Sequence, residues 1–324
     1  MMSLYLPTGA VVAGILGLIW GADRFVAGSA SVARSIGISS LVIGLTIVSI
    51  GTSAPEIIIS INAALKGSGE LAVGNAIGSN LANIGLVLGI TLLIAPIPFK
   101  KNLLKEEGLI LLLVTIFAGI CLYNNFLGRI ESLLLILLVI PLLLLAAKYK
   151  KSQTESSQTQ GKVLLSTNGA LFNFVIGLVV LLLGAEFTVW GAKSIAVSMG
   201  ISELVVGLTI VAIGTSLPEL AASTISAIRG HHDIAIGNII GSNLFNLLLV
   251  MGAAGAISPI ALDSQVFTRD YMAMAVITVI ILLIMACVLR GNIDNAKLPR
   301  AAGIILLVAY CFYYLLLWSS TAVR

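Results

Sequence analysis

The segment that begins at Gly37, GISSLVIGLTIVSIGTSAPE, recurs from Gly200 as GISELVVGLTIVAIGTSLPE. Further on, LAVGNAIGSNLANIGLVLG from Leu71 is matched by IAIGNIIGSNLFNLLLVMG from Ile234. The copies align without a gap over about 53 residues with roughly 30 identities, so the chain is built from one unit used twice. Chance likeness between apolar helices would match Leu with Val; it would not match GTSxPE and GNxIGSN.

The unit is a membrane unit. Of 324 residues 59% are hydrophobic and 10% charged, with a mean hydropathy of +1.11, which no soluble core requires. At about 20 apolar residues per span, roughly ten transmembrane helices fit. The apolar runs fall at 4–35, 39–65, 71–95, 103–123 and 130–147, then at 168–198, 202–228, 233–257, 271–289 and 301–318. The expected fold is therefore an all-α integral membrane protein of ten transmembrane helices, arranged as two inverted five-helix repeats over 1–147 and 167–324. An odd number of spans per copy makes the second enter from the opposite side, which places a pseudo-two-fold axis in the membrane plane. Transporters of that design hold substrate near the midplane, on interrupted helices. Residues 148–166 join the halves, and KYKKSQTESSQTQGK from Lys148 to Lys162 reads as a solvated connector.

The formal net charge of +4 does not indicate nucleic-acid binding, because the basic residues lie between apolar runs. Ten spans put Arg34, Lys100, Lys101, Lys105, Lys148, Lys150, Lys151, Lys162, Arg229, Arg290, Lys297 and Arg300 on one side. Only Lys66, Arg129, Lys193, Arg269 and Arg324 fall on the other. The first side is expected to be cytoplasmic, with both termini outside. Cys121, Cys287 and Cys311 show no CxxC spacing and read as packing residues. The stretch before Pro7 has no basic residue and Arg24 sits inside the first run, so this run reads as a retained helix, not a signal peptide.

Glu56 and Glu219 lie inside their runs, where an ionisable group costs several kcal/mol unless paired or lining a polar cavity. Neither copy offers a nearby Arg or Lys in sequence. Two repeat-related carboxylates therefore point to a cation site. Pro55 and Pro218 precede them and clash with the carbonyls of Gly51 and Gly214, so each helix should break there and free backbone oxygens. Thr52, Ser53, Thr215 and Ser216 add hydroxyls at the same level. A lone Ser or Thr usually bonds its own helix carbonyl, but these four flank buried acids.

Asn75, Ser79 and Asn83 share one helix face, and Asn238, Ser242 and Asn246 repeat it. Neutral oxygens of this kind suit Ca2+ or Na+, not soft metals. Asn80 and Asn243 point roughly 140° away and read as interhelical hydrogen-bonding or packing residues. Gly74, Gly78, Gly85 and Gly89 form small-xxx-small spacings that predict close helix approach. Asp23, beside Arg24, and its repeat partner Glu186 read as gating or interhelical pairing residues, with direct cation binding as the alternative. His231 and His232 read as a solvated loop.

GTSAPE with GNAIGSNLANIG, and GTSLPE with GNIIGSNLFNLL, resemble the alpha-repeats of the calcium/cation antiporter superfamily, above all the prokaryotic sodium/calcium exchangers. The resemblance covers nearly the whole chain. It implies that Glu56 and Glu219 are shared ligands for Ca2+ and Na+, with Thr52, Ser53, Thr215 and Ser216 beside them. It adds the backbone carbonyls of Ser49 and Ala212, the serines Ser79 and Ser242, and Asn83 and Asn246. Many sodium/calcium exchangers carry aspartate where this chain has Asn246. Two carboxylates balance one Ca2+ or two Na+, and that count does not match a three-for-one exchange.

The function expected is secondary antiport of Ca2+ against Na+ by alternating access in the inner membrane of a bacterium or archaeon, with the ions as substrates and no cofactor. The alternative is Ca2+/H+ exchange, with the glutamates carrying protons through a raised carboxylate pKa; K+ is a further candidate coupling ion. Intramembrane hydrolysis is disfavoured, because a serine nucleophile needs a base and no His falls in a span.

Overall fold

The computed structural model describes residues 2–148, 167–200, 210, 212–291 and 296–322. The linker expected at 148–166 lies outside them but for Lys148, as do Met1 and Arg324. The described chain is helical in ten segments. The first half comprises α1 (Met2–Ile36), α2 (Ser40–Thr52) with α3 (Ala54–Leu65), α4 (Gly69–Ile94), α5 (101–122), and α6 (Arg129–Leu137) with α7 (Val139–Lys148). The second comprises α8 (Thr167–Ser198), α9 (Ala212–Thr215) with α10 (Leu217–Ile228), α11 (His232–Ile257), α12 (Val266–Gly291) and α13 (Arg300–Ala322). Among the described residues six are long and apolar enough to cross a membrane alone, and α2 with α3 makes a seventh as a pair bent by 48°.

α12 starts five residues before the apolar run expected at 271–289. The run was cut short by Arg269 and Asp270, which neutralise each other inside the helix at 2.6 Å, and Tyr313 donates to the same carboxylate at 3.1 Å. Helix ends repeat as the sequence does: Gly37 and Gly200 take φ of 68° and 84°, Gly67 and Gly230 φ of 75° and 77°. Glycine enters that left-handed region without the steric cost of a Cβ, which stops each helix at the equivalent residue.

Two compact units emerge, each drawing on both halves of the sequence: Met1–Pro55 with Leu144–Asn238, and Glu56–Leu143 with Ile239–Arg324. In unit one α1 and α8 run antiparallel, as an inverted repeat requires. Gly14 faces Thr188 and Gly184, Gly21 faces Leu181 and Gly177, and Gly28 faces Phe174 and Ala170. A Cβ on any of the three would stand 2.3 to 2.9 Å from atoms of α8. Phe25, Leu18, Ala22 and Leu181 fill the rest of the seam, with Phe25 and Phe174 rings 5.1 Å apart. Outward, Ile15, Leu16, Ile19 and Trp20 of α1 and Phe172, Val175 and Leu183 of α8 are exposed, as a lipid-facing surface needs.

In unit two the copies interlock through two short antiparallel ladders. β1 (Ile97–Pro98), after α4, pairs with β4 (Lys297–Leu298), before α13; β3 (Ile260–Ala261), after α11, pairs with β2 (Phe126–Leu127), before α6. The expected glycine contacts divide. Gly85 and Gly89 pack against Tyr310 and Leu307 of α13, but Gly74 and Gly78 meet nothing within 4 Å and bring no helix close.

Because the α1–α8 seam leaves no room for a methyl group, Gly21→Ala or Gly177→Ala should destabilise the protein by about 1–3 kcal/mol, the usual cost of overpacking. Gly9→Ala, with open space around it, should be neutral. Thermal unfolding of the purified variants in detergent checks both; a Gly21→Ala variant as stable as wild type would show that the seam is loose.

Candidate functional site

Each GTSxPE motif forms the same broken helix. α2 ends at Thr52 and α9 at Thr215, and Ser53 (φ −83°, ψ 8°) and Ser216 (φ −87°, ψ 3°) turn the chain identically. Pro55 and Pro218 lack an N–H, so the carbonyls of Gly51 and Gly214 lose their helical donors. Glu56 and Glu219 follow in the first turns of α3 and α10, 1% and 0% exposed. A carboxylate there sits at the positive end of the helix dipole.

In unit one, side chains of the two copies meet. Ser53 Oγ donates to Glu219 Oε1 at 2.9 Å, and Thr52 Oγ1 donates to Asn238 Oδ1 at 3.1 Å. Asn238 Nδ2 in turn donates to Ser223 Oγ at 3.0 Å, and all five residues are fully buried. The Ser49 carbonyl accepts the Ser53 N–H at 2.9 Å. The second turn is tighter: Ser216 N–H donates to Ile213, not Ala212, at 3.1 Å. Ser216 Oγ is buried without a hydrogen-bond partner, and Thr215 is half-buried.

In unit two, Asn75 Nδ2 donates to the Glu56 carbonyl at 3.3 Å and to Ser60 Oγ at 3.1 Å. Ser79, Asn83, Ser242 and Asn246 are all buried. Asn83 and Asn246 each open a π-helical turn, Asn83–Leu88 and Asn246–Val250. Neither polar atom of either amide has a hydrogen-bond partner, nor does Ser242 Oγ. Buried polar groups are almost always paired, so these amides mark a place for water or an ion. Widened turns of this kind often sit at functional sites.

Ser60 and Ser223 were not among the residues singled out in the sequence. Each lies one turn beyond its glutamate at equivalent positions of the repeat, which is the signal that identifies them. Asn80 and Asn243 behave as their spacing predicts: Asn80 Nδ2 donates to the Asn243 carbonyl at 3.2 Å and Asn243 Nδ2 to Ile239 at 2.6 Å. Asp23 pairs with Arg229 at the end of α10, while Arg24 turns away to Asn173 and to the face of Trp20. Glu186 is exposed in an apolar groove of about 580 Å³ beside Phe187 and Trp190. Among the described residues no three His, Cys, Asp or Glu cluster as a resident metal site would require. Carboxylates among neutral oxygens are instead the donor set of a hard cation.

The family model described as sodium/calcium exchanger protein matches residues 6–148 and 169–319. The inner membrane protein YrbG of Escherichia coli is 36% identical, over 87% of this chain and 89% of its own. The sodium/calcium exchanger MaX1 of Methanosarcina acetivorans is 29% identical over 94% and 96%. The sodium-calcium exchanger NCX_Mj, solved from crystals soaked with Na+ and Ca2+, superposes with a TM-score of 0.82 at 34% identity, covering 95% of this chain and 97% of that one.

Proposed function

The chain belongs to the sodium/calcium exchanger family, and from that membership we propose that it exchanges Ca2+ for Na+ across the membrane. It is an integral membrane cation exchanger and not an enzyme. The observation that carries the finer reading is the buried acid of each broken helix, Glu56 and Glu219, with Ser53 donating to the second of them. Two carboxylates carry the charge of one Ca2+ or two Na+. The ions then compete for the same oxygens, and one must leave before the other binds.

The proposed ligands are Glu56 and Glu219 with the hydroxyls of Thr52, Ser53, Thr215 and Ser216, the side chains of Ser79, Ser242, Asn83 and Asn246, and the carbonyls of Ser49 and Ala212. Support comes from the repeated helix break and from the unpartnered amides of Asn83 and Asn246. Alternating access would be carried by α1 and α8, which the glycine seam packs as one body. The membrane is the cytoplasmic one, a reading supported by the inner membrane location in the name of YrbG. The distribution of Lys and Arg supports a cytoplasmic linker with both termini outside. A cysteine placed at Ser157 should react with an impermeant thiol reagent only after cells are opened; labelling of intact cells would invert the orientation.

Glu56→Gln and Glu219→Gln should each abolish Na+-driven Ca2+ uptake into proteoliposomes, to below about one hundredth of wild type, since losing a ligand exceeds the 10–100-fold cost of losing its support. Folded protein should still be recovered. Near-normal uptake by either variant would remove that glutamate from the site. Uptake driven by a proton gradient alone would instead favour Ca2+/H+ exchange.

Asn246→Asp should alter Na+ dependence more than Ca2+ affinity, because it adds one negative charge to a site that otherwise balances two positive ones. An extra Na+ would raise the net charge moved per Ca2+. One charge crossing 100 mV is worth about 2.3 kcal/mol, so the reversal potential should shift in flux measurements at clamped potentials. Identical reversal potentials in an active variant would mean that Asn246 does not set the coupling ratio.

A further inference from the structure

A hydroxyl can serve a cation only through its lone pairs, so what takes its proton decides whether it is a ligand. Thr52, buried at the end of α2, has two acceptors within reach: Asn238 Oδ1 at 3.1 Å and the Ser49 carbonyl at 3.3 Å. The asparagine is the nearer. An asparagine amide is ambivalent, however, and rotation by half a turn would present its NH2 group to Thr52. In that orientation one Thr52 lone pair is consumed by the amide, and the hydroxyl proton turns to the Ser49 carbonyl, itself a proposed ligand.

In the structure the amide presents Oδ1 to Thr52 and turns its NH2 group to the opposite side. Asn238 Nδ2 donates to Ser223 Oγ at 3.0 Å, and Ser223 lies on α10 one turn beyond Glu219 with no exposure to solvent. We infer that Ser223 and Asn238 are positioning residues of the cation site: Ser223 fixes the amide of Asn238, and Asn238 takes the Thr52 proton so that Thr52 Oγ1 faces the cation with its lone pairs. The same serine and asparagine recur in unit two, where Ser60 Oγ accepts from Asn75 Nδ2 at 3.1 Å. Two copies of the sequence in two different environments thus build the same pair. The helix that carries the acid thereby also orients, through one asparagine, a hydroxyl on the other copy.

This inference rests on the reading of Thr52 as a ligand for transported Ca2+, and the test separates the two. The full-length protein is reconstituted and Na+-driven 45Ca2+ uptake is measured against Ca2+ concentration. A wild type without Na+-coupled uptake would overturn the exchange reading itself and the positioning role with it. With an active wild type, Ser223→Ala should raise the Ca2+ KM about 10-fold, the order found when a residue supporting a metal ligand is removed, with little change in maximal rate. Thr52→Val should raise it at least as much. The double variant should match Thr52→Val alone, because Ser223 acts only through Thr52. Effects that multiply, or a wild-type KM in Ser223→Ala, overturn the inference while leaving Ca2+ exchange intact. Should Ser223→Ala not be recovered as monodisperse protein, Ser223→Thr and Ser223→Val decide, since they differ only in the hydroxyl. A lower KM for the threonine variant supports the role, and equal values overturn it.

Discussion

A carboxylate at membrane depth must be answered by polar groups or by a cation, and the arrangement of unit one follows from how Glu219 is answered. No lysine or arginine approaches it in sequence; a serine from the other copy does, through a 2.9 Å hydrogen bond. A hydroxyl donor steadies the acid without cancelling its charge, as an arginine would. A bond of that kind is compatible with the cation exchange proposed for this acid. Asp23 is the contrast: it has an arginine, and a pair so neutralised has little left for a transported ion.

The helix breaks follow from the same demand. In lipid every backbone group must be satisfied internally, and a continuous helix satisfies all of its own carbonyls. Proline breaks that ladder at a defined place, freeing the carbonyls of Gly51 and Gly214 four residues upstream. Ser53 and Ser216 absorb the turn with nearly the same dihedral angles. The π turns that open at Asn83 and Asn246 do related work on α4 and α11, loosening the ladder where the two unpartnered amides sit. Acid and break are therefore one device, duplicated.

Much of this was legible in the sequence because the repeat isolates what two copies share. Gly, Thr, Ser, Pro and Glu recur at offsets that apolar packing alone would not produce, and the ten helical segments follow from the hydropathy. What stayed hidden has identifiable causes. Ser60 and Ser223 look like ordinary helix serines, which back-bond to their own turn, and only the asparagine across from each reveals a different duty. Arg24 stood next to Asp23 and masked Arg229, because adjacent residues on a helix face different ways while a partner 206 positions away can face the acid. Gly14, Gly21 and Gly28 match Gly177, Gly184 and Gly191 in the register of the repeat, yet their flanks have diverged and the match lies outside the strongly similar segment. The π turns have no signature in composition at all. Gly74 and Gly78 carried the small-residue spacing without the helix contact, since such a spacing permits close approach and does not compel it.

That last pair exposes the difference between a symmetric sequence and an asymmetric structure. Gly74 is the repeat equivalent of Gly237, and Asn75 that of Asn238. Gly237 is buried against Leu41, Gly44 and Leu45, and Asn238 is fully enclosed, whereas Gly74 is exposed and Asn75 only half-buried. Nearly identical motifs have taken two environments within one chain. Local propensity cannot favour both, because the local sequences agree over the motif. The selection between the two environments is therefore made by packing around each copy. Under the alternating access proposed above, a pseudo-two-fold relation would supply a second state in which the copies exchange environments, the first enclosed and the second exposed. The two states need differ by no more than a few kcal/mol for a bound ion to shift the balance between them. Duplication followed by inversion would thus supply a two-state element at little cost: the sequence that stabilises one state would, copy for copy, stabilise the other.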